Sequence, residues 1–177
     1  MQHPTNQTYP AQAMPLLLCL VLAVVSCGYG FTGTGAFPFN IQKLAVDNVQ
    51  NRTAETGLEN TVTSDLTYEL TRSGKVRITS TSEAEGILSG TITALNEITI
   101  SRSGTITANA RRVQIFLTLT LEDNEGNILW TANDLTDFES YEVVNDPAVT
   151  EANQRNAIAI LSRRLAERVV NRLKEDF

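Results

Sequence analysis

The chain has 177 residues, 14 of them Lys or Arg and 20 Asp or Glu, giving a net charge of -6. A surplus of acid argues against a general nucleic-acid binder, and no apolar run reaches the roughly 20 residues of a membrane-spanning helix. One histidine and two cysteines leave little material for zinc sites, disulfides or histidine-based catalysis.

An apolar run, Leu16 to Val25, ends at Ser26-Cys27 and is followed at once by Gly28-Tyr29-Gly30-Phe31. A small residue before a cysteine, preceded by branched apolar residues, resembles the lipobox of bacterial lipoprotein precursors. No A-x-A cleavage site follows, so an ordinary secretory signal with a chance cysteine is the weaker reading. Residues 1–26 are therefore expected to be a lipoprotein signal peptide, with Cys27 acylated as the first mature residue. Every Lys, Arg, Asp and Glu follows Cys27, which departs from the lipoprotein pattern and leaves the start open between Met1, Met14 and an upstream codon. Loss of the signal also removes His3 and Cys19, leaving a chain of about 150 residues without histidine or free thiol. That length suits one domain with its own core. Histidine bases, Cys/His zinc sites and cysteine nucleophiles drop out together, so no enzyme, metal or cofactor is expected.

Gly28 to Gly33 has the G-x-G-x-x-G spacing of a dinucleotide fingerprint, but that loop needs a strand before it and a helix after it. Residues 27–40 are instead expected to form a glycine-rich tether, with the domain over 41–177. Ile41 to Val46 is predicted as a strand and Asn48 to Gly57 as a polar loop. Leu58, Val62, Leu66 and Leu70 recur every four residues, predicting a helix that Arg72-Ser73-Gly74 stops. Val76 to Thr79 is a short strand. Gly86 to Ile100 is a longer one, with Leu88, Ile92 and Ala94 on one face and Thr91, Thr93 and Leu95 on the other. Ser101 to Gly104 is a turn.

The clearest alternation follows. Val113, Ile115, Leu117, Leu119 and Leu121 share one face, Arg112, Gln114, Thr118 and Thr120 the other. Asp123 to Asn127 is a hairpin turn, and the return strand runs from Ile128 to about Tyr141. Pro147 opens a last helix whose stripe is Ala152, Ile158, Leu161, Leu165, Val169 and Leu173. The order β-α-β-β-β-β-α predicts an α+β fold. Two helices pack on one face of a four- to five-stranded mixed β-sheet, an α/β sandwich.

Cys27-Gly28-Tyr29-x-Phe31, Ile41-x-x-Leu44-Ala45-Val46, Gly57-Leu58-Glu59, Leu70-x-x-Ser73-Gly74, Ala84-x-Gly86-x-Leu88-x-Gly90-x-Ile92 and Arg112-Val113-x-Ile115 occur in an order that resembles the LptE family. Leu129-Trp130 to Tyr141 and Ala157-Ile158 to Leu173 extend the resemblance over nearly all of the mature chain. The resemblance implies an outer-membrane lipoprotein of the lipopolysaccharide transport machinery, facing the periplasm and held by its N-terminal lipid. It implies a plug in the lumen of an LptD-like β-barrel that assists lipopolysaccharide into the outer leaflet, with no catalytic triad. Gly28 after the cysteine is compatible with outer-membrane sorting. A second reading is a lipoprotein activator or assembly module of the LpoB/CsgG-like type, whose strand, Asn/Thr loop and helix ending in Ser-Gly are similar.

A lipopolysaccharide carrier needs cations for phosphates, arginine above all. Arg72, Lys75 and Arg77 surround the turn after the first helix; Arg102, Arg111 and Arg112 flank the turn between the two long strands. The two groups could converge, or could be ordinary solubilising charge at loop ends. Arg164, Arg168 and Arg172 read as cations that offset the helix macrodipole, and Trp130 as a core residue. Asp134, Asp137, Glu139 and Glu142 read as a solvated edge that blocks strand pairing. Replacing Cys27 with serine is expected to abolish metabolic labelling by palmitate and to release the chain from the membrane fraction on cell lysis. Retention of both would show that the anchor is not on Cys27.

Overall fold

The computed structural model describes residues 37–101 and 109–175, so Cys27, most of the tether and the turn that carries Arg102 lie outside the described residues. The architecture grows from the alternating strand. Residues Asn109–Asp123 form β5, and Val113, Ile115, Leu117, Leu119 and Leu121 on its one face are all fully buried. An interior position needs a partner on each side. Gly86–Ser101 (β4) and Ile128–Val143 (β6) supply them, each antiparallel to β5. The β5–β6 turn lies where the sequence predicts it. Gly126 takes φ 85°, and the Asp123 carboxylate accepts from the backbone of Glu125 and Asn127 at 2.9 and 2.8 Å and from Asn127 Nδ2 at 2.8 Å. Those donors, the Asn127 side chain foremost, hold the Asp123 carboxyl below its ordinary range.

A small parallel segment completes the sheet beside the first half of β4. Lys43–Val46 (β1) pairs with Gly86, Ile87 and Leu88, and Arg77–Ile78 (β3) pairs with β1. The order is β3-β1-β4-β5-β6. The stretch expected to be wholly loop contains a further two-residue strand, β2 (Gln50–Asn51), parallel to Thr91 and Ile92 of β4. Asn51 then organises the turn after it. Its Nδ2 donates to Glu55 O at 2.7 Å and to Glu59 Oε2 at 2.9 Å, while its Oδ1 accepts from the Thr53 N–H.

Both helices cover one face of this sheet, as the period-four stripes require. Helix α1 (Leu58–Arg72) buries Leu58, Val62, Leu66 and Leu70. It stops where Gly74 takes φ 64° and the Ser73 N–H donates to Glu69 O. Helix α2 (Pro147–Glu175) buries Ile158, Leu161, Leu165, Val169 and Leu173, but Ala152 is exposed. The apolar stripe of α2 thus begins at Ala157, nearly three turns in. Burial of each leucine contributes about 1.5–3 kcal/mol, which sets the helices on the sheet.

Two bulges alter faces that simple alternation predicts. In β4 the register passes from Ile92↔Leu117 to Ala94↔Phe116, leaving Thr93 unpaired. Parity flips there, so Leu95 joins the core side opposite Ile115 and Ala94 leaves it. In β6, Asn133 and Asp134 intervene between Ala132↔Leu119 and Leu135↔Leu117, with Asp134 at φ 53°. Close packing across β4 and β5 fixes one glycine. A Cβ on Gly90 would overlap Leu119 Cδ2 and stand 3.2 Å from Thr118 O. Gly90→Ala is expected to destabilise the domain by about 1–3 kcal/mol, read from the urea midpoint, because Leu119 is sealed in the core. An unchanged midpoint would show that Leu119 can give way.

Candidate functional site

The expected basic residues fall into two separate places. Arg72, Lys75 and Arg77 lie at the end of the sheet where β4 begins, since β3 pairs with β1 and β1 with Gly86 to Leu88. Arg111 and Arg112 pair with Thr99 and Ile98. That is roughly 40 Å further along β4 at about 3.3 Å per residue. The two groups do not converge. Arg102 lies outside the described residues.

In the first group Arg72 is engaged by its own helix. Its Nε and Nη2 donate to Glu69 Oε2 at 2.9 and 2.6 Å, and Glu167 of α2 stands 3.7 Å away. Glu69 is only 4% exposed, so its carboxylate depends on this guanidinium. Hydrogen bonding to Glu69, then its charge, pushes the Arg72 pKa further up. Lys75 and Arg77 are exposed beyond the helix stop. The groove between α1 and α2 at this end, about 430 Å³, mixes Arg72 and Lys174 with Glu69 and Glu167. Such a lining has no dominant sign.

At the far end, adjacent arginines point to opposite faces of β5. Arg111, on the helix side, donates through Nη1 to Glu97 Oε1 at 2.8 Å. Tyr141 Oη donates to the same oxygen at 2.6 Å, and Gln154 of α2 donates to Oε2 at 3.2 Å. This network ties β4, β5, β6 and α2 together. Arg112 lies on the face that no helix covers. Its guanidinium carbon sits 4.2 Å from the centroid of the Phe138 ring, and its Nε is buried without a hydrogen-bond partner.

Two arginines of the α2 stripe, Arg164 and Arg168, meet two acids of β6, Asp137 and Glu139, which corrects the expectation for those four residues. Arg164 Nη1 stands 2.8 Å from Glu139 Oε2 and its Nη2 donates to Phe138 O at 2.6 Å. Arg168 donates to Thr136 O at 2.7 Å and to Asp137 Oδ2 at 3.0 Å. Asp137 is 15% exposed and paired, not a solvated edge residue. These cations bind the outer strand to the helix, a larger role than offsetting a macrodipole. Asp134 instead occupies the bulge, and Glu142 is exposed. Trp130 is buried in the core as expected.

The uncovered sheet face combines exposed apolar side chains with a cation. Ile98 is 53% exposed and Phe138 48%. Arg112 lies over Phe138, and Gln114 Nε2 donates to Thr136 Oγ1 at 3.0 Å beside them. The sequence marks Arg112 and Gln114 as outward, but Phe138 and Ile98 join them only through strand register. Among the described residues no cluster of His, Cys, Asp and Glu could hold a metal, and no helix is long and apolar enough to cross a membrane.

The chain has relatives. The sequence model of the LptE family, described as lipopolysaccharide-assembly, matches residues 41–173. The chain belongs to the LptE family. Membership makes it a lipopolysaccharide-assembly lipoprotein of the cell envelope, in a family that is not catalytic. No curated protein matches the chain. Among solved structures, a minor lipoprotein from Acinetobacter baumannii is similar at TM-score 0.51 and 18% identity, covering 76% of this chain and 92% of that one. A lipoprotein from Caulobacter crescentus is similar at TM-score 0.51 and 14% identity, covering 72% and 89%. Lipoprotein B from Nitrosomonas europaea is similar at TM-score 0.51 and 12% identity, covering 76% and 81%. At these identities the likeness is one of fold, and it is the same two helices on a mixed sheet that this LptE-family chain shows.

The Glu97 network also gives a pH signature. Burial, then the hydrogen bond to Glu97, pushes the Tyr141 phenol above its ordinary 10.0. A folded pKa raised above the unfolded one contributes stability that is full below pH 10 and lost as pH rises through the folded value. Tyr141→Phe is expected to remove a late component from the ultraviolet phenol titration and to weaken that alkaline loss of stability. A variant with the same titration would place the late-ionising phenol elsewhere.

Proposed function

We propose that this LptE-family chain is anchored in the outer membrane through acyl groups on Cys27 and faces the periplasm. There it plugs the lumen of an LptD-like β-barrel and assists lipopolysaccharide into the outer leaflet. One acyl chain gives only marginal membrane binding, so the anchor requires the several chains that a lipobox cysteine carries. The observation that carries the reading is the uncovered face of β4, β5 and β6, where an arginine with no carboxylate partner among the described residues sits beside exposed apolar side chains. That pairing suits a ligand bearing both phosphate and acyl chains: the guanidinium meets the anion and the Ile98 and Phe138 surfaces meet hydrocarbon.

Among the described residues, the candidate cations differ in what already engages them. Arg72 serves Glu69 and Arg111 serves Glu97, so reversing either charge strikes the fold first. Among the described residues Arg112 has no such carboxylate, which makes it the informative position. Lys75 and Arg77 stand at the opposite end and would act there separately.

The test is extraction of the lipidated, tagged chain in mild detergent, with identification of whatever elutes in equal amount. The expected result is a large outer-membrane β-barrel together with lipopolysaccharide. Arg112→Glu is expected to keep the barrel and the melting temperature while lowering the lipopolysaccharide recovered by about tenfold, the loss of one charge-assisted contact. Recovery of a peptidoglycan synthase in place of the barrel would overturn the reading, and undiminished lipopolysaccharide would remove Arg112 from the site.

A further inference from the structure

Among the described residues, the sheet margins on β3 and β6 are closed to further pairing. β3, at one margin, is two residues long. β6, at the other, carries a bulge at Asn133 and Asp134, and its Thr136 and Phe138 carbonyls accept from Arg168 and Arg164. These are the devices by which proteins blunt a strand edge. The third margin lies on β4 itself. β1 and β2 accompany β4 only to Ile92; beyond it, among the described residues, no strand lies on that side through Ser101.

The orientation of the free groups follows from the register. Before the bulge, Leu88 O and Ile92 O point away from β5, accepting from Asp47 N and Arg52 N. The one-residue shift at Thr93 moves this role to Leu95, Glu97, Thr99 and Ser101. Their N–H and C=O groups form an open ladder about 20 Å long at roughly 3.3 Å per residue. The segment Ala94-Leu95-Asn96-Glu97-Ile98-Thr99-Ile100-Ser101 contains no Lys, Arg, Pro or Gly to discourage pairing. Its one charge, Glu97, is already satisfied by Arg111, Tyr141 and Gln154. Regularly alternating donors and acceptors are complemented by one thing, the backbone of an extended strand.

We infer that the free margin of β4, from Leu95 to Ser101, receives an extended strand of the barrel partner by β-augmentation. The inference rests on the partner reading above and names the surface through which that partner is held. With its single charge internally neutralised, the margin selects an uncharged strand, whose side chains lie beside half-buried Leu95 on the helix side and exposed Ile98 on the other. A charged strand would bring unpaired charge against Leu95 and Ile98 at a desolvation cost.

Two readouts test it in the full lipidated chain. A photoreactive benzoylphenylalanine at Asn96, on the open side, is expected to crosslink to the barrel; a crosslink to a second copy of this chain would overturn the inference. Thr99→Pro deletes an outward N–H without touching the β5 ladder, and Thr99→Lys adds a charge while leaving the backbone whole. Each is expected to lower co-purified barrel by about tenfold at unchanged melting temperature, through a lost hydrogen bond or a mismatched charge. If Thr99→Pro fails to fold, Thr99→Lys alone decides. Full barrel recovery with the folded variants would overturn the augmentation and leave the partnership standing. An unsubstituted chain that recovers no barrel would overturn the partnership, and the augmentation with it.

Discussion

The structure depends on the burial of one face of β5. Five branched apolar side chains spaced two apart exclude water only if strands flank β5 and helices roof it, and every other element supplies one of those needs. The two long neighbours meet the backbone demand; α1 and α2 meet the side-chain demand. The helix-free face is the consequence, because β5 is apolar on one side only. Arg112, Gln114, Phe116, Thr118 and Thr120 are left with solvent or a ligand.

Length creates the second constraint. Strands of 15 and 16 residues outrun the parallel segment, which ends beside Ile92. Past that point polar contacts reinforce the buried Val113 and Ile115. The Glu97 carboxylate gathers Arg111, Tyr141 and Gln154, and Arg164 with Arg168 reaches from α2 to the carbonyls and acids of β6. Charge-assisted bonds of this sort add fixed geometry to the apolar packing. The same stretch carries the open ladder of β4 and the exposed Ile98 and Phe138, so the polar network braces the part of the molecule that has most left to bind.

A carboxylate within reach decides what each arginine does. Arg72, Arg111, Arg164 and Arg168 each lie within 4 Å of one, and each thereby joins helix or strand to its neighbour. Arg112 meets an aromatic ring instead and, among the described residues, no carboxylate, which makes the open face cationic as well as apolar.

By itself the sequence determined the periodic elements. The alternation of β5, the four-residue stripe of α1, Gly74 after its end, the Asp123–Asn127 turn and Pro147 before α2 are local signals, and each acts through the dihedral or spacing it imposes. The order of short motifs also pointed to the LptE family. Tertiary structure alone decided what depends on register. β2 has two residues and no periodicity of its own, and exists because Ile92 offers a carbonyl to its edge. The bulge at Thr93 sends Leu95 to the core against the alternation that precedes it, and nothing in Thr93 itself announces the extra residue. The candidate site was half legible: Arg112 could be placed on the outward face of β5, but its separation from Arg72 and its contact with Phe138 come from pairings across three strands. Spacing along a chain fixes which face a side chain takes within one element. Which strangers it meets is fixed by hydrogen-bond register between elements, and a single bulge is enough to change it.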